Sequence, residues 1–207
     1  MSWRWPVELA HVLPSGERLT LRPLARGDRA QWVQLRERNR AWLGRWESTV
    51  PGEQGAPLPF HRLRRVLDRA GRDGLALPLV IDVDGRLVGQ VQLFDLLWGA
   101  RRSGSVGYWL GEASTGRGYA TWAVAALVDH ALLDTGLHRV EVAIRPENHA
   151  SLRVVERLGL PEEGRTRGLM HVDGGWRDHR SFAVLAEDLV PGGYAPGGLV
   201  ARLRSGR

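Results

Sequence analysis

The run Ser105-Val-Gly-Tyr-Trp-Leu-Gly-Glu-Ala-Ser-Thr-Gly-Arg-Gly-Tyr-Ala-Thr-Trp-Ala-Val-Ala-Ala-Leu-Val constrains this chain more than any other segment. It predicts a strand, a glycine-rich turn and a nearly all-apolar helix in immediate succession. Gly116, Gly118 and Ala120 alternate just ahead of the helix. Small residues there let backbone amides approach a phosphate, and the helix N-terminus adds partial positive charge. The turn therefore points to a diphosphate-bearing ligand. The competing reading is a tight strand-to-helix turn that binds nothing.

A chain of 207 residues is most simply one domain with a core large enough to need no staples. Without cysteine there is no disulfide framework, thiolate zinc site or cysteine nucleophile. No His/Asp/Glu cluster has metal-ligand spacing, so no metal is expected. No apolar run approaches the roughly 20 residues that span a bilayer, and Met1-Ser-Trp-Arg-Trp-Pro is not a secretory signal. The expectation is a soluble, cytoplasmic protein without membrane contact. The formal charge is +6, carried by arginine, because lysine is absent. Arginines are scattered among Asp and Glu, as in Arg26-Gly-Asp-Arg, so nucleic acid is not required as a ligand.

Along the chain, Arg18 to Leu24 alternates as a first strand. Asp28 can cap a helix to about Arg38, with Trp32, Leu35 and Val33 facing inward. Asn39 to Gln54 reads as a short helix and a loop, and Phe60 to Ala70 as a helix that Gly71 can end. Leu77–Val83 and Arg86–Phe94 flank Asp84-Gly85, a type I′ hairpin signal. Ser105–Leu110 leads through the glycine turn into a helix to about Leu133, which Gly136 can close. A strand from His138 and a helix from Asn148 to Leu158 follow, ended by Gly159. Strands over about 164–172 and 176–185 flank Asp173-Gly-Gly. From Pro191 the Gly, Pro and Arg content predicts a mobile tail. The order describes a mixed α/β sheet with one parallel crossover at its centre.

Thr115-Gly-Arg-Gly-Tyr-Ala between strand and helix resembles the acetyl-coenzyme A pyrophosphate loop of the GCN5-related N-acetyltransferases (GNAT). Asn148-His-Ala-Ser-Leu-Arg-Val-Val-Glu-Arg-Leu-Gly-Leu is similar to that family's Asn-x-x-Ser helix and its Leu-Gly-Phe ending. Asn39-Arg-Ala-Trp-Leu-Gly-Arg-Trp-Glu and Asp173-Gly-Gly-Trp-Arg-Asp-His resemble segments of the RimJ/RimL-type ribosomal-protein-alanine N-acetyltransferases. Thr115 stands where Gln or Arg is usual, and Leu160 replaces the common Phe. The resemblance covers about Leu19 to Leu189. It implies a single α/β (α+β) domain over residues 1–190, followed by the tail 191–207. The implied sheet is twisted and mostly antiparallel, with a central splayed parallel strand pair and about four helices. A dinucleotide fold is disfavoured because Thr121 occupies the third glycine position, and a triphosphate loop would need lysine.

The resemblance implies acetyl-coenzyme A as co-substrate. Backbone groups of Tyr108, Trp109 and Leu110 would pair with its pantetheine arm like an added strand. Thr115, Gly116, Arg117, Gly118, Tyr119, Ala120 and Thr121 would surround its diphosphate, and Asn148 and Ser151 complete the cofactor set. Transfer needs a neutral amine, a proton acceptor and a donor for the departing thiolate. Ser151 is the candidate acid; the alternative is that Asn148 only caps the helix and Ser151 is an exposed first-turn residue. Glu112 is the candidate base, or simply an acid that favours the helix dipole. His171, Asp178, His179 and water are further candidates for the base, since Met170 and His171 occupy the strand where some relatives carry an acid. Trp42, Trp46, Phe60 and His171 are candidates for the acceptor side, against ordinary core packing. The acceptor expected is a protein N-terminal α-amine, with a small amine such as a polyamine, aminoglycoside or amino acid derivative as the alternative. A non-catalytic coenzyme-binding or RNA-associated regulator is the reading from another class. The pattern also allows a homodimer.

Overall fold

Eight strands form one sheet in the computed structural model, which describes residues 3–52 and 57–206. Gln54, the expected end of the loop after Asn39, and Arg207, the last residue of the expected tail, lie outside the described residues. The strands are β1 (Leu9–Val12), β2 (Arg18–Arg22), β3 (Leu77–Val83), β4 (Arg86–Leu97), β5 (Ser103–Leu110), β6 (Arg139–Ile144), β7 (Glu162–Val172) and β8 (Gly175–Leu185). Their spatial order is β1-β2-β3-β4-β5-β6-β8-β7, and β5–β6 is the parallel pair. β1 was not apparent in the pattern, because four residues are too few for alternation to stand out. The β3–β4 turn places Asp84 at φ 49° and Gly85 at φ 79°, the geometry of the expected type I′ hairpin.

Alternation sorts the side chains into two layers. Leu19, Leu21, Leu79, Ile81, Val91, Leu93, Val106, Val140 and Val142 enter the main core. Helices α4 (Tyr119–Asp129), α5 (His149–Leu158) and α6 (Leu199–Ser205) supply its other side. α4 is apolar all round because β5 and β4 lie beneath it and α5 and α6 flank it. Its fully buried Val124, Leu127 and Val128 side chains each contribute about 1.5–3 kcal/mol. On the opposite face, α1 (Arg29–Arg38) and α3 (Phe60–Arg72) cover a smaller cluster of Leu24, Trp32, Val80 and Leu87. α2 (Arg40–Gly44) follows α1 directly. Six α-helices are present among the described residues against about four expected; the short α2 lies in the segment read as a short helix and loop, and α6 lies in the segment read as a tail.

Three local expectations are corrected. Asp28 makes no side-chain cap to α1. Its carboxylate instead accepts from the Arg22 guanidinium at 2.8 and 3.0 Å and from the Ala25 amide at 2.7 Å. Gly71 does not end α3; it lies within it, where a Cβ would stand 2.5 Å from the Trp5 ring. The segment from Pro191 is no free tail, since Ala195 and Leu199 are buried in the main core. The Asp129 carboxylate accepts from the amides of Leu199 at 2.7 Å and Val200 at 2.9 Å, and so fixes the start of α6. Burial pushes the pKa of Asp129 up to about 6.

Candidate functional site

Parallel pairing between β5 and β6 extends over only three residue pairs, Ser103 with Arg139 to Ser105 with Glu141. Beyond Ser105 the strands diverge, so Val106 to Leu110 have no strand partner on the β6 side. Their other side stays paired with β4, down to Gly89 opposite Leu110. The sheet is therefore intact at its flanks and parted at its middle. Side chains hold the end of β5 in place. Asn39 donates to the Leu35 carbonyl and accepts from the Glu112 amide, both at 2.8 Å. The Trp42 indole donates to the Leu110 carbonyl at 3.3 Å.

On the α4/α5 side of the opening lies a slot of about 280 Å³. Tyr108, Trp109 and Leu110 line it, with Thr115, Gly116, Gly118 to Thr121, Asn148 and Ser151. Gly116 at φ 77° and Gly118 at φ 83° turn the chain into α4 through the left-handed region. A Cβ at Gly116 would meet nothing within 4 Å, and at Gly118 only Trp122 at 3.9 Å, so the turn is open to a ligand. The first bond of α4 runs from the Trp122 amide to the Gly118 carbonyl at 3.1 Å. The amides of Tyr119, Ala120 and Thr121 precede it and have no intrahelical acceptor. Among the described residues no side chain caps this end.

α5 meets α4 at the slot. Asn148 caps α5, accepting from the Ser151 amide at 3.1 Å. The Tyr108 hydroxyl donates to the Ser151 carbonyl at 3.2 Å, and burial raises the Tyr108 pKa, so the phenol stays protonated. Arg153 and Arg157, one turn apart on α5, also line the slot. Among the described residues neither has a carboxylate partner.

On the other face lies a cleft of about 1130 Å³. Its floor carries Gln90 and Gln92 from β4, Ser105, Gly107 and Trp109 from β5, Glu141 and Ala143 from β6, and His179 and Ser181 from β8. Trp32 packs edge-on against Trp109 at 5.6 Å, and the Arg36 guanidinium lies 5.1 Å above the Trp109 ring. Arg36 also pairs with Glu47 at 2.5 Å. A strap crosses from α2 to the far wall, bridging Ser48 to Val172 and sending the Thr49 amide to the His171 carbonyl at 2.9 Å. Slot and cleft share Leu43, Trp46, Tyr108, Trp109, Asn148 and Ser151. The two spaces therefore meet through the opened sheet.

Several expected site residues lie elsewhere. Glu112 lines neither space; it begins an exposed turn whose carbonyl accepts from Thr115. His171 projects from the opposite side of β7 to Met170, bonded to the Thr49 hydroxyl at 2.7 Å and edge-on to Trp176. Phe60 packs beside the smaller core cluster under α1 and α3. Trp46 lines both spaces, and Trp42 the slot alone. The Arg117 side chain lines neither, and the Tyr119 phenol turns into the core toward Glu17, leaving its amide at the turn. Asp178 is held by the Gly168 amide and Arg165. Pattern reading overlooked the Tyr108 side chain, the Gln90/Gln92 pair and Arg153/Arg157. The i, i+2 and i, i+4 spacings of the two pairs were the available signals. Among the described residues no group of three metal-ligating side chains occurs, and no helix is long and apolar enough to cross a membrane.

The profile described as "Acetyltransferase (GNAT) domain" matches residues 18–161. The chain is 31% identical to "Probable N-acetyltransferase YjcK" of Bacillus subtilis (strain 168), covering 84% of this chain and 97% of that protein. It is 24% identical to "[Ribosomal protein uS5]-alanine N-acetyltransferase" of Escherichia coli (strain K12), covering 85% and 92%. Among solved structures, "Mycobacterium smegmatis RimJ in complex with CoA-disulfide" superposes with a TM-score of 0.87 at 34% identity. That match covers 98% of this chain and 95% of the other.

Proposed function

This chain belongs to the GNAT acetyltransferase family, and from that premise we propose that it transfers the acetyl group of acetyl-coenzyme A to the N-terminal α-amine of a protein. The observation that carries this reading is the junction of slot and cleft through the parted strands. A thioester held on one face of the sheet would present its carbonyl to an amine entering from the other. The uncapped α4 amides and the open turn at Gly116 and Gly118 fit a diphosphate. Arg153 and Arg157 add positive charge for its phosphates. The free side of Val106 to Leu110 suits the amides of a pantetheine arm.

Protein acceptors are supported by relatives such as the uS5-alanine N-acetyltransferase and by the size of the cleft. About 1130 Å³ exceeds what a simple amine fills. Gln90 and Gln92 offer amide groups that suit a peptide backbone. Ser151 is suited to protonate the departing thiolate, because its amide and carbonyl are engaged while its hydroxyl has no protein partner among the described residues.

The test is thiol release from acetyl-coenzyme A with peptides beginning in alanine or serine, alongside spermidine and an aminoglycoside, with products read by mass spectrometry. Acetylation at a peptide α-nitrogen is the expected result. Turnover with the small amines alone would overturn the protein-acceptor reading. Tight coenzyme binding without any transfer would favour the non-catalytic regulator.

A further inference from the structure

Acetylation requires that the acceptor ammonium lose a proton before its nitrogen can attack. The cleft-lining proton acceptors divide by position. Glu141 pairs with Ser105, where β5 and β6 are still joined, and its carboxylate is tied to Arg139 at 2.7 Å. Asp95 lies on the exposed bulge beyond Phe94, which itself pairs with Ser105 at that same joined end. Glu47 is tied to Arg36. None of these is a free base at the open end of the gap.

His179 differs on each count. Arg180 pairs with Ile144, so the next step of the β6–β8 register sets His179 beside Arg145, three residues before Asn148. That is the open end. The residue is only 4% exposed and lines the cleft floor. Its Nδ1 lies 3.0 Å from the Arg177 carbonyl oxygen, which can only accept, so Nδ1 carries the proton. The neutral ring therefore presents an unprotonated Nε2. That atom has no protein partner among the described residues, and it is not among the sealed, unpartnered polar atoms.

We propose that His179 is the general base of the reaction, its Nε2 receiving a proton from the acceptor ammonium. The assignment rests on the acetyl-transfer reading above. The R–NH3+ group gives one proton to Nε2, and the freed electron pair forms the C–N bond at the thioester carbonyl carbon. The C–S bond then breaks with its electrons on sulfur. Ser151 protonates the sulfur and recovers a proton from the new C–N nitrogen, leaving amide, thiol and imidazolium; the imidazolium returns its proton to solvent.

The surroundings keep the resting ring neutral. Burial lowers its pKa, Arg145 from the β6–α5 connection lowers it further, and the Arg177 carbonyl, Glu147 and Asp178 act in the opposite sense. From β7, the uncharged Thr166 stands opposite it in register.

The test compares wild type with His179→Gln on a peptide beginning in alanine, measuring kcat from pH 6 to 9.5 and acetyl-coenzyme A affinity by calorimetry. A loss of about 100-fold in kcat is expected at pH 7, with coenzyme affinity changed by less than about twofold. The loss should shrink below about tenfold near pH 9.5, where an α-amine of ordinary pKa deprotonates unaided. A loss equal at every pH would show a structural role and overturn the proposal, as would unchanged kcat. Because the site is buried, 15N NMR of the wild-type ring provides a measurement without a variant. An Nε2-protonated ring at pH 7 would overturn the assignment while leaving acetyl transfer standing. Absence of transfer by the wild type to every amine tried would overturn the acetyl-transfer reading and this base with it.

Discussion

The Tyr108 hydroxyl donates to the Ser151 backbone carbonyl at 3.2 Å, joining the part of β5 that has left β6 to the first turn of α5. Asn148 holds the Ser151 amide at the same time. Both backbone groups of Ser151 are thus fixed, and its side chain is positioned without being consumed. Ser151→Ala should lower kcat by about 10- to 100-fold, with coenzyme affinity within about twofold of wild type. Steady-state kinetics and calorimetry check this. Tyr108→Phe removes one tie and should cost about 1 kcal/mol of stability in urea unfolding.

Gly118 turns into α4 at φ 83° beside amides that have no helical acceptor. Gly118→Glu should abolish coenzyme binding, because a carboxylate would occupy the place of the diphosphate. Gly116→Ala meets open space at φ 77°. It should cost about 1–2 kcal/mol of stability from the left-handed backbone alone, while still binding coenzyme. Calorimetric titration of both variants separates charge from strain.

Arg22 reaches Asp28 and Asp82 together, at 2.8 Å to each as its shortest contacts. Both carboxylate side chains are about nine-tenths buried, at 9% and 10% exposure. If Asp28 were only a helix cap, Asp28→Asn would be harmless, because asparagine caps as well as aspartate. The ion network instead predicts a loss of about 2–4 kcal/mol for Asp28→Asn, measured by denaturant unfolding.

Asp129 gives a pH dependence of definite sign. Its folded pKa of about 6 lies above the ordinary 3.8, because burial disfavours the carboxylate more than the Leu199 and Val200 amides favour it. The folded state therefore binds this proton more tightly than the unfolded state. The stabilisation is complete below about pH 4 and is lost as pH rises to about 6. Wild type should lose stability relative to Asp129→Asn across that window and run parallel to it above. Unfolding free energies at a series of pH values decide.

Local chemistry made much of the molecule legible. Asp84-Gly85, the alternation of β2 and β6 and the glycine turn before α4 each need only neighbouring residues to act as they do. What escaped was set by distant partners. Asp28 has the composition of a cap, but Arg22, which also reaches Asp82, and the Ala25 amide claim its carboxylate. The chain after Pro191 looks unstructured until Asp129, some seventy residues earlier, supplies the acceptor that starts α6. At the site, the backbone turn was visible, whereas side-chain direction was not. A one-residue step on a strand reverses the face, which separates Met170 in the cleft wall from His171 outside it. The same alternation sends Trp109 to the cleft floor and the Tyr108 phenol to α5.

A strand that leaves part of its ladder unused offers recognition written in main chain, indifferent to which side chains it bears. Gln90 and Gln92, which line the cleft and not the slot, can therefore change under selection without erasing the place where a thioester would lie. On the proposed reading, new acceptors would become reachable by editing one wall of the molecule with the donor side left whole.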